Sequence, residues 1–419
     1  MRAWNGAERN DLPAALAALD AAASNPLARQ YAPETRAFIL LRFGRTAEAE
    51  PQARTAILGA GPRATRLRLA LADGFLQAGD RRRAAAMVAG IGTAGAEGAE
   101  RIRNGRQTGN AVTTAADALG EVLLGVTSDL ARVNNNGAPP LGMAQVARYA
   151  APRNSGAAVL LALLLEADDR DDAALAVLRS VPEADPLREQ ALDAQSRLLL
   201  KSGRSVEALE IARSAVEDRG SGVADWARLA EVLRETEKFE EAAAAYARAI
   251  ALATARGERD ELWPLYLLQA TSYEQSDRWP EARQALEAGL KIAPDQPLLL
   301  NFLGYAQLER GEDLDGAEAM IRKAVALAPG DASIIDSLGW ALYKRGKLPD
   351  AVATLERAAA GDPGQAEIQE HLGDALYASG RRYEARFAWN AALVNAEEDM
   401  AARIRAKLVA GLTPATAAP

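Results

Sequence analysis

Along almost the whole chain, apolar residues recur every three to four positions in short blocks separated by polar turns. That spacing gathers them on one face of an α-helix. Ile335, Leu338 and Leu342 make one such face, and Leu355 belongs to the next block. Runs of Val, Ile, Thr and Tyr alternating with polar residues, as a half-buried strand requires, are missing. The pattern predicts an all-α chain of short amphipathic helices.

The blocks repeat. Small residues stand at Ala174, Ala208 and Ala242, then at Ala282, Ala317, Ala351 and Ala385, mostly 34 or 35 positions apart, with one step of 40. Ala15, Ala49 and Ala84 form an earlier series, and Pro140 lies 34 before Ala174. Two registers are thus joined by one irregular stretch. Five residues before most of these alanines stands a turn residue: Gly44, Gly79, Gly203, Gly346 and Gly380, or Asn10, Asp169, Glu237 and Asp277. Each predicts a left-handed residue ending one helix before a second begins. Prolines such as Pro62, Pro152, Pro186, Pro294, Pro329 and Pro363 close the second helix. About twelve positions before each alanine lies another small residue: Ala162, Ser196, Ala230, Ala270, Gly304, Gly339 or Gly373. Two helices approach closely only where one offers little side chain, so these pairs mark helix crossings. Ala351 is expected at such a crossing, and Ala359 on the exposed side of the same helix.

The clearest copies are LLLNFLGYAQLERGEDLDGAEAMIRKAVALAP, SIIDSLGWALYKRGKLPDAVATLERAAAGDP and EIQEHLGDALYASGRRYEARFAWNAALVNA. Their Leu-Gly, Gly, Ala and closing Pro fall in phase, and they resemble the tetratricopeptide repeat (TPR). The resemblance covers nearly the whole chain and implies a right-handed α-solenoid of about ten to eleven TPR-like hairpins. Residues 1–89 read as degenerate hairpins, the first incomplete, and 111–396 as a regular array. Residues 397–412, with Met400, Ile404 and Leu408 on one face, read as a capping helix, and 413–419 as a frayed tail. An upstream segment, such as a targeting signal, is expected ahead of Met1.

The irregular stretch has three parts. Residues 90–110 hold six glycines and are expected to be an exposed loop. Its Gly90-Ile-Gly92-Thr-Ala-Gly95 spells a dinucleotide fingerprint but follows an Ala-rich helix instead of a strand, so no nucleotide is expected. Ala111 to Arg132 predicts a long helix, and Asn134, Asn135, Asn136, Gly137, Pro139 and Pro140 a turn. That turn is either a hinge between the registers or, in our reading, a lengthened hairpin. A further insertion before Ala282 extends a helix through Ala253 and adds a charged turn from Arg256 to Glu261.

Composition narrows function. Cysteine is absent, which removes disulfides, thiolate metal sites and thiol nucleophiles. The longest apolar run, Ala157 to Leu165, is far short of the roughly 20 residues that span a bilayer. The net charge of −8 is uneven, since residues 1–110 carry 16 Arg and no Lys against 10 acidic residues. These arginines are scattered and lack interleaved aromatics, which argues against nucleic acid. Arg outnumbers Lys 42 to 7, as in GC-rich bacterial genomes. The single histidine, His371, follows Glu367 by four residues and reads as a surface ion pair, not as a metal ligand or proton shuttle. No catalytic residue and no cofactor is expected.

A binding surface is more promising. In a TPR array the first helices line the concave face, and here Asn301, Tyr305 and Leu308, then Asp336, Trp340 and Tyr343, then Glu370, Asp374 and Tyr377 fall in register. Each trio occupies one helical stripe, giving an aromatic and acidic groove suited to Lys or Arg on a guest; the alternative is that Trp340 and the tyrosines only pack between adjacent hairpins. TPR proteins that clamp a peptide carboxylate use basic residues at such sites. Asp336, Glu370 and Asp374 would repel one. The last hairpins are similar to bacterial envelope TPR proteins, including a lipoprotein adaptor of a carboxyl-terminal processing protease. That resemblance implies a non-enzymatic scaffold or adaptor for a protein partner in the periplasm or at the outer membrane, with the cytoplasm left open. The alternative is a module binding a glycan or small molecule in a cell-wall or exopolysaccharide pathway.

Overall fold

The computed structural model describes residues 1–109, 111–133, 141–217, 221–258, 262–414 and 416–418. Among them the chain forms α-helices and one short 3₁₀ turn, with no strand. It divides into two compact units, Met1–Arg219 and Gly220–Pro419, so the boundary does not fall at the Gly-rich stretch.

In the first unit α1 (Arg2–Glu8) pairs with α2 (Leu12–Ala21), α3 (Pro26–Arg42) with α4 (Thr46–Leu58), and α5 (Ala64–Gln77) with α6 (Arg81–Val88). A single helix, α7 (Gly92–Arg103), follows. Three more hairpins complete the unit: α8 (Ala115–Val133) with α9 (Leu141–Ala150), α10 (Ser155–Ala167) with α11 (Asp171–Arg179), and α12 (Arg188–Lys201) with α13 (Ser205–Glu217). In the second unit α14 (Val223–Glu235) pairs with α15 (Phe239–Ala255), α16 (Trp263–Gln275) with α17 (Trp279–Ile292), and α18 (Pro297–Glu309) with α19 (Leu314–Leu327). Then α20 (Ala332–Lys344) pairs with α21 (Leu348–Gly361), α22 (Ala366–Ala378) with α23 (Arg382–Ala392), and α24 (Glu398–Ala410) ends the array.

The repeat has a direct physical basis. All ten alanines of the two series are fully buried. Opposite them, a Cβ added at Gly339 would lie 2.5 Å from Leu355 Cγ, and one at Gly304 would lie 2.9 Å from the carbonyl oxygen of Ala317. The backbones meet where side chains are smallest, and the larger apolar residues fill the flanks. The hairpin bends follow equally. Gly44, Gly79, Gly203, Gly346 and Gly380 all have positive φ, as do Asn10, Asp169, Glu237 and Asp277.

Several expectations need correction. The Gly-rich stretch is not a loop over its whole length, because residues 92–103 are helical. Two glycines within that helix serve close packing: a Cβ at Gly98 would sit 3.1 Å from Leu69 Cδ2 and 3.3 Å from Val88 Cγ1, and one at Gly95 would collide with Ile91 and the carbonyl of Val88, whereas Gly90 and Gly109 outside it have positive φ and open surroundings. Alanines and glutamates between them supply helix propensity, and Ile102 is buried in the core of the first unit. Helix α8 begins at Ala115, four residues later than expected, behind a turn in which Asp117 accepts from the backbone N–H groups of Thr113 and Thr114. Ala359 is partly buried against the cores around Leu355 and Ile335. The turn at residues 134–140 and the end of the charged turn at 259–261 lie outside the described residues. Among the described residues, no helix is long and apolar enough to cross a membrane.

Candidate functional site

The first helices α18, α20 and α22 lie side by side. Their apolar faces pack into the hairpins and leave one polar stripe from each helix in register. The structure divides the nine predicted residues of these stripes into two groups.

The first group opens a cleft of about 230 Å³ lined by Asn301, Phe302, Tyr305, Ser333, Asp336, Ser337, Gln365 and Glu367. Three predicted residues, Asn301, Tyr305 and Asp336, meet here. Burial, and then the carboxylates of Glu309, Glu367 and Asp336, push the Tyr305 phenol well above its usual range, so it stays a neutral hydroxyl. Oδ1 of Asn301 and Oδ1 of Asp336 are buried and accept no hydrogen bond. Unmatched buried acceptors are costly, and a donor arriving from a ligand would remove that cost.

The second group is closed. Trp340, Glu370 and Asp374 are buried, as is Asp336, which belongs to both groups; this corrects the picture of a continuous open acidic groove. Nδ1 of His371 lies 2.9 Å from Oδ2 of Asp336, and the imidazole stacks on Trp340 with centroids 4.1 Å apart. His371 is therefore a buried partner of Asp336 and not a surface partner of Glu367. Burial acts to lower its pKa, but the Asp336 carboxylate outweighs burial and raises it. On its other side Trp340 stacks on Tyr343 at 4.6 Å and donates its Nε1–H to Glu309 at 3.0 Å. Leu308 is buried in the core beneath.

The remaining acids are occupied by α24. Arg403 donates from Nε and Nη2 to the two oxygens of Glu370 at 2.8 and 2.7 Å. Lys407 Nζ reaches Glu370 at 2.6 Å and Asp374 at 2.7 and 2.8 Å. Asp374 also accepts from Trp389 Nε1 and from the backbone N–H of Ala418, each at 2.9 Å. Burial would raise the Glu370 pKa, but the bonds from Arg403 and Lys407 prevail and hold it below the usual carboxylate range. The tail expected to fray is thus tied back onto α22 through Ala418. Tyr377 is half-buried beside Trp389, with ring centroids 5.5 Å apart.

Sequence reasoning missed Phe302, Ser333, Ser337, Gln365 and Glu367 as cleft residues, and Arg403 and Lys407 as the cations that cover Glu370 and Asp374. A signal was present: Arg403 and Lys407 stand four apart on α24, the spacing of Glu370 and Asp374 on α22.

Sequence models of the tetratricopeptide repeat match residues 226–260, 267–332 and 337–402. The chain is 32% identical over 154 residues to the TPR repeat-containing protein PA4667 of Pseudomonas aeruginosa, a match spanning 28% of this chain and 26% of that protein. A tetratricopeptide repeat protein from Parabacteroides merdae is similar in structure with a TM-score of 0.47 at 16% identity, over 61% of this chain and 97% of that one. Yeast Tom70 is similar with a TM-score of 0.47 at 12% identity, over 98% of this chain and 94% of that one. Residues 226–260, 267–332 and 337–402 of this chain are tetratricopeptide repeats, and the hairpins built on them form an all-α TPR-type fold.

Proposed function

We propose that the chain is a non-enzymatic protein-interaction scaffold whose second unit takes a partner segment in the cleft between α18, α20 and α22. The observation that carries this is the pair of buried, donor-less oxygens on Asn301 and Asp336, set in a cleft that also holds Glu367. Such a surface offers acceptors and negative charge, so it selects a guest segment with Lys, Arg or free N–H groups. The far end of the same stripe already holds a basic helix of the chain's own, with Arg403 and Lys407 seated on Glu370 and Asp374. This internal arrangement illustrates the chemistry that fits. The resemblance of the last three hairpins to envelope TPR proteins makes an envelope protease or assembly factor the first partner to test.

Peptide arrays graded in Lys and Arg content test the proposal. Basic peptides should be retained by the wild-type chain and lost with Glu367→Lys, which reverses an exposed charge at the cleft without touching the packed core. Retention that ignores both peptide charge and this substitution would sink it.

A further inference from the structure

The first unit contains a second cleft, of about 320 Å³, between the end of α7, the turn from α9 into α10, and the turn from α11 into α12. It is lined by three arginines, Arg101, Arg148 and Arg153, with Ser155, Ser180 and Asp185 among its polar residues. We propose that this cleft binds a phosphate-type dianion, as a phosphomonoester or as inorganic phosphate.

Arg36, Arg54, Arg63, Arg66 and Arg83 each pair with a carboxylate of the chain, whereas Arg42 and Arg68 stand singly, each held by two backbone carbonyls. The cleft gathers three arginines in one cavity, and among the described residues none of them forms an ion pair with a carboxylate. Instead, neutral oxygens hold two of them in place. Arg101 donates Nε–H to the carbonyl of Gln107 at 2.8 Å and Nη1–H to that of Ala184 at 3.1 Å. Arg148 donates Nη1–H to the carbonyl of Pro152 and Nη2–H to Ser180 Oγ at 2.9 Å. These bonds fix the guanidinium planes and use only part of their five N–H groups, so the forks are organised before any ligand arrives.

Charge points to a dianion. Asp185 is the one carboxylate in the lining, and its oxygens are engaged by Ser155 Oγ at 2.7 Å and the Leu187 N–H at 2.8 Å. Three guanidiniums against that single carboxylate leave two positive charges, which match a phosphomonoester at neutral pH. Burial with no compensating anion pulls the Arg148 pKa down, and an incoming oxyanion would reverse that penalty. The cleft is larger than a single phosphate group requires, leaving room for the organic part of an ester.

The test is calorimetric titration of the full chain at constant ionic strength with inorganic phosphate, phenyl phosphate and benzoate. Saturable binding of phenyl phosphate, with benzoate at least tenfold weaker, is the expected result. Tighter binding of phenyl phosphate than of inorganic phosphate would assign the ester as ligand, and equal binding the free ion. Arg153→Gln, at an exposed residue, should weaken binding by about tenfold while leaving the ligand-free melting temperature unchanged. Arg101→Gln with Arg148→Gln should abolish it. No saturation by either phenyl phosphate or inorganic phosphate at millimolar concentration, or equal affinity in wild type and Arg153→Gln, would overturn the proposal.

Discussion

The ammonium of Lys407 lies 2.7 Å from Oδ1 of Asp374, and both side chains are fully buried. One end of the repeat array is therefore held by charge as well as by apolar packing. Removing one member of a buried ion pair strands the other, at a cost of about 3–5 kcal/mol. Lys407→Ala leaves Asp374 without its cation and Glu370 with Arg403 alone, so a loss in that range is expected in denaturant titrations. Arg405 pairs with Glu398 on the outer face of the same helix at 3.0 Å, where both are exposed. Arg405→Ala should hardly move the transition, because water screens that pair. Equal effects of the two substitutions would show that α24 does not dock through its cations.

His371 makes stability depend on pH. Its pKa is raised in the folded chain: burial opposes the charged form, but the Asp336 carboxylate outweighs burial, with Glu367 and Asp374 adding to it. A raised folded-state pKa stabilises the fold below the ordinary imidazole value near 6.5, and that contribution fades as pH rises through the folded-state value. Melting temperatures of the wild-type chain and His371→Gln should therefore differ most at about pH 5.5 and converge toward alkaline pH. A gap that widens with pH would mean that the imidazole sits neutral against Asp336.

These two pairs also mark where sequence reading stopped. The hairpins were legible because a helix crossing tolerates only small side chains and a helix-to-helix bend favours a left-handed residue, so Ala351 and Gly346 recur at fixed spacing. First helices stack in register, which brings three of the nine stripe residues, Asn301, Tyr305 and Asp336, into one cleft. Burial of the acids was not legible, since it depends on what lies across the stripe. Asp336 meets His371 from the neighbouring helix, and Glu370 meets Arg403 over a separation of 33 positions. Glycine inside α7 differs in the opposite direction. There it permits contact, as Gly98 does against Leu69 and Val88, where the composition suggested exposure.

The crossing at Ala351 can be tested by volume. Ala351 is fully buried on the helix that packs against Gly339 through Leu355, whereas Ala353 on the same helix is exposed. Ala351→Leu should overfill the crossing and cost on the order of 1–3 kcal/mol, with Ala353→Leu close to neutral. Ala359 is a poor control because it is partly buried beside Ile335 and Ile368. Matching melting temperatures for the Ala351 and Ala353 variants would contradict the close backbone approach on which the repeat rests.

Gly346 isolates backbone conformation from packing. Its φ is +71°, and a Cβ built there would meet nothing within 4 Å, so substitution costs only the strain of a left-handed residue. Gly346→Ala should therefore destabilise by roughly 1–2 kcal/mol. Gly346→Asn should cost less, because asparagine tolerates this region better. The converse holds at Asp277, which bends its hairpin at φ +57°. Asp277→Gly relieves that strain but adds freedom to the unfolded chain, so a small net gain is expected. Chemical denaturation of the three variants ranks them, and Gly346→Ala matching the wild-type midpoint would show that this bend does not require a left-handed residue.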